Sequence, residues 1–192
     1  MPTRRSAAVV LLLALAGAGL VGCGSDEPAS SSGTTGHSSA DVAFASDMIA
    51  HHEQALLMVD MTEGRDLSPE LAELTQDIKA AQAPEIEEMT GWLEKWGEKV
   101  PDDGHPMGGM ASGSTDSDMM GDDDLAELDG AAPDRFEAMW LRMMIAHHEG
   151  AVEMAKTEIE GGQYGAAVAL ARSIVTSQTA EIAHMRSMLA GS

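Results

Sequence analysis

The stretch Met48-Ile-Ala-His-His-Glu-Gln-Ala-Leu-Leu-Met58 returns as Met144-Ile-Ala-His-His-Glu-Gly-Ala-Val-Glu-Met154, with eight of eleven positions identical at an offset of 96 residues. The same offset aligns Ile78 with Ile174, Gln82 with Gln178, Glu85 with Glu181, Ile86 with Ile182, Met89 with Met185 and Leu93 with Leu189, without a gap. Unrelated segments do not share this many matches in one register, so the chain contains a duplication. Each copy reads as two helices. The first runs from about Asp41 to Glu63 and stops at Gly64. The second starts at Ser68-Pro69-Glu70, an N-cap residue with Pro at the first helical position, and ends near Gly97. In the second copy, Pro133 or Asp134 opens a helix, and Asp134 and Glu137 are spaced like a capping box. That helix stops at Gly161-Gly162, and the last one runs from about Gln163 to Leu189. Four helices with short turns inside each copy predict an all-α antiparallel four-helix bundle with pseudo-twofold symmetry.

Composition narrows the function. The chain has 192 residues, a formal net charge of −21, 15 Met, 7 His and one Cys. A single Cys excludes an intramolecular disulfide framework, a Cys-based zinc finger and a Cys-ligated iron–sulfur cluster. The acid excess argues against a nucleic-acid partner, because phosphate contacts need clustered Lys and Arg. With only 3 Trp, 2 Phe and 1 Tyr, a β-sandwich or barrel is disfavoured.

Residues 1–22 read as a lipoprotein signal peptide: Arg4 and Arg5, then a short apolar run, then Leu20-Val21-Gly22 before Cys23. The run is too short for a comfortable membrane span. Cys23 is then the lipidated residue, residues 23–40 form a flexible Ser/Gly/Thr-rich tether, and the protein is extracytoplasmic and lipid-anchored to the cell membrane. With the thiol consumed by the anchor, soft-ligand chemistry falls to Met and His. The bundle occupies residues 41–190: a hairpin at 41–97, a Gly-, Asp- and Met-rich crossover at 98–132 without helical periodicity, and a hairpin at 133–190.

A helical period of about 100° per residue places Phe44, Met48, His52, Ala55 and Val59 on one face, with His51 on its flank. On the second helix Leu71, Ile78, Gln82, Glu85, Met89 and Leu93 share a face. The copy gives Trp140, Met144, His148, Ala151 and Ala155, opposite Gln178, Glu181, Met185 and Leu189. Buried polar groups need partners. Plain His52–Glu85 and His148–Glu181 pairs would satisfy them without any ligand. A metal ion would do so as well, neutralising the carboxylate and taking an imidazole lone pair. Recurrence of a His doublet, Gln, Glu and Met in both copies favours the metal. The metal ligands expected are His51, His52, Glu85 and Met89 in one site and His147, His148, Glu181 and Met185 in the other. Met48, Met144, Gln82, Gln178 and His184 are accessory. Pro84, whose counterpart is Ala180, is expected to kink its helix. In the crossover, His105, Met107, Met110, Met119 and Met120 offer soft ligands for ion capture, where core packing does not explain a Met.

The pattern Phe44…Met48-Ile-Ala-His51-His52-Glu53…Ala55…Met58, then Ile78…Gln82…Glu85-Ile86…Met89…Trp92-Leu93, resembles the bacterial "domain of unknown function 305" family, as does the copy from Trp140 to Leu189. The resemblance implies a ferritin-like four-helix bundle, often secreted or lipid-anchored. Some members, the CopM type, are implicated in periplasmic copper binding and tolerance. Pro84 and Gly150 depart from the pattern and put the equivalence of the two sites in question.

The reading that follows is a metal-binding protein that is not an enzyme. Its cargo is copper, as Cu(I) or Cu(II), with iron and zinc as alternatives, and it sequesters or traffics that ion. Two other classes compete with it. A ferritin-like diiron oxidase would use the step Glu181-Ile-Ala-His184, but its counterpart is Glu85-x-x-Glu88 and the other helices offer His where Glu is wanted. A metal-free cell-envelope interaction module would need only the His–Glu pairs.

Overall fold

The computed structural model describes residues 36–101 and 119–191. The segment expected to be a signal peptide, Cys23, most of the expected tether and the crossover residues His105, Met107 and Met110 lie outside the described residues. Among the described residues five helices follow in order: α1 (Ser39–Asp60), α2 (Pro69–Trp96), α3 (Asp122–Asp129), α4 (Pro133–Gly161) and α5 (Gly165–Gly191). Helix α1 packs on α2, α4 packs on α5, and α1 packs on α4, which joins the two hairpins. Among the described residues no helix is long and apolar enough to cross a membrane.

Local chemistry sets the helix ends. At α1, the Ser38 hydroxyl accepts from the Asp41 N–H, and the Asp41 carboxylate accepts from the Ser38 N–H at 2.5 Å. Helix α2 begins with Ser68 as N-cap and Pro69 in its first turn, as its sequence expects. It ends at Gly97 with φ of 76°, a left-handed conformation that suits a residue without Cβ. Pro84 sits inside α2, and the helix continues across it.

Two expectations are corrected. Residues 98–132 are not without helix: α3 lies among them. Its three leading residues, Asp122, Asp123 and Asp124, favour a helix N-terminus, and Leu125 and Leu128 bury one side of its two turns. Eight residues are too few for periodicity to reveal. The capping box expected of Asp134 and Glu137 does not form either. The N-cap of α4 is Ala132, without a side-chain cap. Glu137 instead accepts from the Ser68 N–H at 2.5 Å and the Ser68 hydroxyl at 2.9 Å, so it caps α2 in the other hairpin. Asp41, which occupies the equivalent repeat position, accepts from the N–H groups of Gln163 at 2.9 Å and Tyr164 at 2.8 Å, where α5 begins. The first helix of each hairpin thus caps the second helix of the other.

The apolar core falls into two clusters. One contains Phe44, Met48, Ile49, Met89, Trp92, Leu93, Ala151, Ala155 and Ile174. The other contains Ala55, Met58, Leu71, Ile78, Leu128, Phe136, Trp140, Met144 and Met185. Partners at the repeat offset fall into opposite clusters, as pseudo-twofold symmetry requires: Met48 and Met89 in one, Met144 and Met185 in the other. On α1 the residues between the two clusters are His51, His52 and Gln54, and on α4 they are His147 and His148. All are buried, so a polar layer divides the bundle core.

Candidate functional site

The layer is built from the repeated motif. Helix α1 supplies His51 and His52, α4 supplies His147 and His148, α2 supplies Gln82 and Glu85, and α5 supplies Gln178 and Glu181. His51 is 2% exposed and the other three imidazoles are 0% exposed. His51, expected on the flank of the face that carries His52, is buried there as well. A face counted against α2 alone omits the second neighbour, α4, and it is α4 that covers His51. The His51 and His147 rings meet there with centroids 3.6 Å apart and planes at 32°. His147 and His148 lie 6.4 Å apart, centroid to centroid.

The second histidine of each doublet is anchored. His52 Nε2 lies 2.7 Å from Glu85 Oε2, and His148 Nε2 lies 2.6 Å from Glu181 Oε2. These are the two pairs that the ligand-free account expects. Pairing does not complete the layer, however. A carboxylate only accepts, so each pair places a proton on Nε2, and in a neutral ring Nδ1 is then the acceptor. Among the described residues His52 Nδ1 and His148 Nδ1 are both buried without a hydrogen-bond partner, and so are Gln82 Oε1 and Gln178 Oε1. Unsatisfied buried acceptors at equivalent positions in both repeats need an explanation. Burial holds His147 well below its ordinary pKa, and the neighbouring His51, His148 and His52 rings push it further down. His147 is therefore poised as neutral imidazole, the form that ligates a metal.

The arrangement regroups the expected ligands. His52 goes with Glu85 and His148 with Glu181, while His51 pairs with His147 across the hairpins instead of closing a site with Glu85. Each Glu binds Nε2 of its histidine, a contact that orients and polarises the ring. Met89 and Met48 lie in the cluster on one side of the layer, and Met185 and Met144 in the cluster on the other. Gln82 and Gln178 are inside the layer. Among the described residues, no three His, Cys, Asp or Glu side chains already stand close enough together to hold a metal ion.

Other candidates fall elsewhere. His184 is exposed, on an open groove with Ser68, Glu70, Glu137 and Met188, so the Glu181-x-x-His184 step does not bring its two ends into one buried site. In the crossover, Met119 is half-buried. Met120 packs against the apolar core, and its backbone N–H and carbonyl are both bound by the Gln54 amide at 2.8 Å. For Met120 the expectation that packing plays no part is corrected. Gln54 carried no sequence signal, since Gly150 replaces it in the second copy.

Comparison with known proteins agrees with this architecture. The family model described as "Domain of unknown function (DUF305)" matches residues 41–189. Among curated proteins, none matches the chain. A DUF305 protein from Streptomyces coelicolor, described as secreted, is 35% identical over 79% of this chain and 91% of its own, with a TM-score of 0.69. A DUF305 fragment from Deinococcus radiodurans is 28% identical over 81% of this chain and 98% of its own, also with a TM-score of 0.69. CopM in its Cu(II)-bound form is 32% identical over 79% of this chain and 96% of its own, with a TM-score of 0.66. The same protein also matches in Cu(I)-bound and Ag-bound forms.

Proposed function

The chain belongs to the DUF305 family, and from that membership and its histidine layer we propose that it is an extracytoplasmic copper-binding protein that sequesters or passes on the ion. One observation carries the reading: His52 and His148 each present a buried, unpartnered Nδ1 whose tautomer is fixed by Glu85 or Glu181 through Nε2. A carboxylate–imidazole pair with its free nitrogen turned inward is the arrangement that metal-ligating histidines use. Imidazole suits Cu(II), and thioether with imidazole suits Cu(I), so Met48, Met89, Met144 and Met185 can supply soft contacts beside the layer. CopM, which has been described with Cu(I), Cu(II) and silver bound, supports the choice of metal. Loading must draw the rings toward a common centre, because they do not yet converge. Here copper is cargo, the protein is not an enzyme, and anchoring through Cys23 would hold it at the membrane.

The test is copper uptake, with Cu(I) in competition and Cu(II) in direct titration, by the purified chain and by a His52→Ala, His148→Ala double variant. The native protein should retain copper through dialysis, and the double variant should lose most of it. Equal uptake by both would show that the layer is not the site.

A further inference from the structure

Away from the histidine layer, two carboxyl groups from different hairpins meet inside the protein. Asp41 of α1 is 0% exposed and Glu158 near the end of α4 is 1% exposed. Asp41 is well supplied with donors: Ser38 N–H, the Ser38 hydroxyl at 2.7 Å, and the N–H groups of Gln163 and Tyr164. Among the described residues neither Glu158 oxygen has a donor. Its polar neighbour is the Asp41 carboxyl, which is itself an acceptor. Two buried carboxylates side by side repel each other, whereas one proton on Glu158 converts that repulsion into an O–H···O⁻ bond.

We propose that Asp41 and Glu158 share a single proton, and that this proton-bridged pair latches the start of α1 to the α4–α5 turn. Electrostatics agrees with the geometry. Burial, and then the hydrogen bond and charge of Asp41, push Glu158 up to about 8. Burial alone would raise Asp41, but the hydrogen bonds from Ser38, Tyr164 and Glu158 outweigh it and hold Asp41 at about 2. The site is built around the pair: a Cβ on Gly162 would lie 2.1 Å from Glu158 Oε1. The Tyr164 backbone N–H faces Asp41 just before α5, and Lys95 of α2 stands over the Tyr164 ring, 5.8 Å from its centroid. His37 stacks on Trp96, whose ring also meets Tyr164. Glu98, Lys99 and Glu160 are exposed. The opposite end of the bundle lacks this device, because the repeat partners of Asp41 and Glu158 are Glu137 and Thr62, and the Thr62 hydroxyl donates to the Val59 carbonyl.

Because the native state raises the Glu158 pKa, the latch is at full strength below the ordinary carboxyl range and weakens as pH rises through about 8. The experiment compares the melting temperature of the full chain with that of Glu158→Gln, an uncharged isostere, from about pH 5 to about pH 9. The wild type should match the variant at the acid end and fall behind it by roughly 5 °C or more at the alkaline end. A gap independent of pH would overturn the proposal. Infrared spectra of the wild type give a second reading that does not depend on the variant folding. A protonated carboxylic-acid band should persist at neutral pH and fade in alkali, and its absence at neutral pH would equally overturn the latch.

Discussion

At the scale of the residue, Glu85 decides which nitrogen of His52 is available. Its 2.7 Å contact fixes the proton on Nε2, and the buried Nδ1 is left for a ligand. Glutamine at that position can either donate or accept, so it would no longer dictate the tautomer. Glu85→Gln, like Glu181→Gln, should therefore lower copper affinity by about 10- to 100-fold while the circular dichroism spectrum is unchanged. Preserved affinity would show that the carboxylate does not orient a ligand. His52 was legible because it lies on the same stripe as Met48 and Ala55. His51 was less so, since a stripe counted on one helix registers one neighbour and α1 has two. Gly162 gave no signal beyond ending a helix, yet a Cβ there would strike the Glu158 carboxyl. Gly162→Ala should cost about 1–3 kcal/mol in urea denaturation, as overpacking of a filled site does.

At the scale of the element, the hairpins are tied together by their acids. Glu137 on α4 caps α2, and Asp41 on α1 caps the start of α5. The sequence suggested local caps, Ser68 for α2 and Asp134 with Glu137 for α4. Reciprocal caps between hairpins were illegible, because the partners are separated by 69 and by 122 or 123 residues. Glu137→Ala should cost about 1–2 kcal/mol, the range for a lost N-terminal cap. The Asp41 cap carries a pH signature. Its pKa falls from 3.8 to about 2 on folding, so its stabilisation is complete above 3.8 and disappears as pH drops through 2. Asp41→Asn should accordingly cost about 1–2 kcal/mol near pH 6, with the gap to wild type closing in strong acid. Helix boundaries at Ser68, Gly97 and Gly162 were readable from caps and breakers alone. Helix α3 was not, since two turns hold too few apolar residues to set a period.

At the scale of the whole molecule, duplication gave the four long helices and their pseudo-symmetry away, but it also suggested two separate metal sites. Repeat logic compares each copy with itself and cannot show how the copies face each other. The fold joins them through α1 and α4, and that packing presses His51 against His147 at 3.6 Å between centroids. The two half-sites therefore share a wall. A change in one ring must be felt by the other, because a close-packed interior transmits small displacements. The energetic consequence is coupling. If the sites were independent, the losses in copper affinity from His52→Ala and His148→Ala would add in the double variant. For contacting networks the departure from additivity is about 0.5–3 kcal/mol. The double-variant cycle, read by Cu(I) competition, should show such a departure. Strict additivity would restore two isolated sites and reduce the His51–His147 contact to packing.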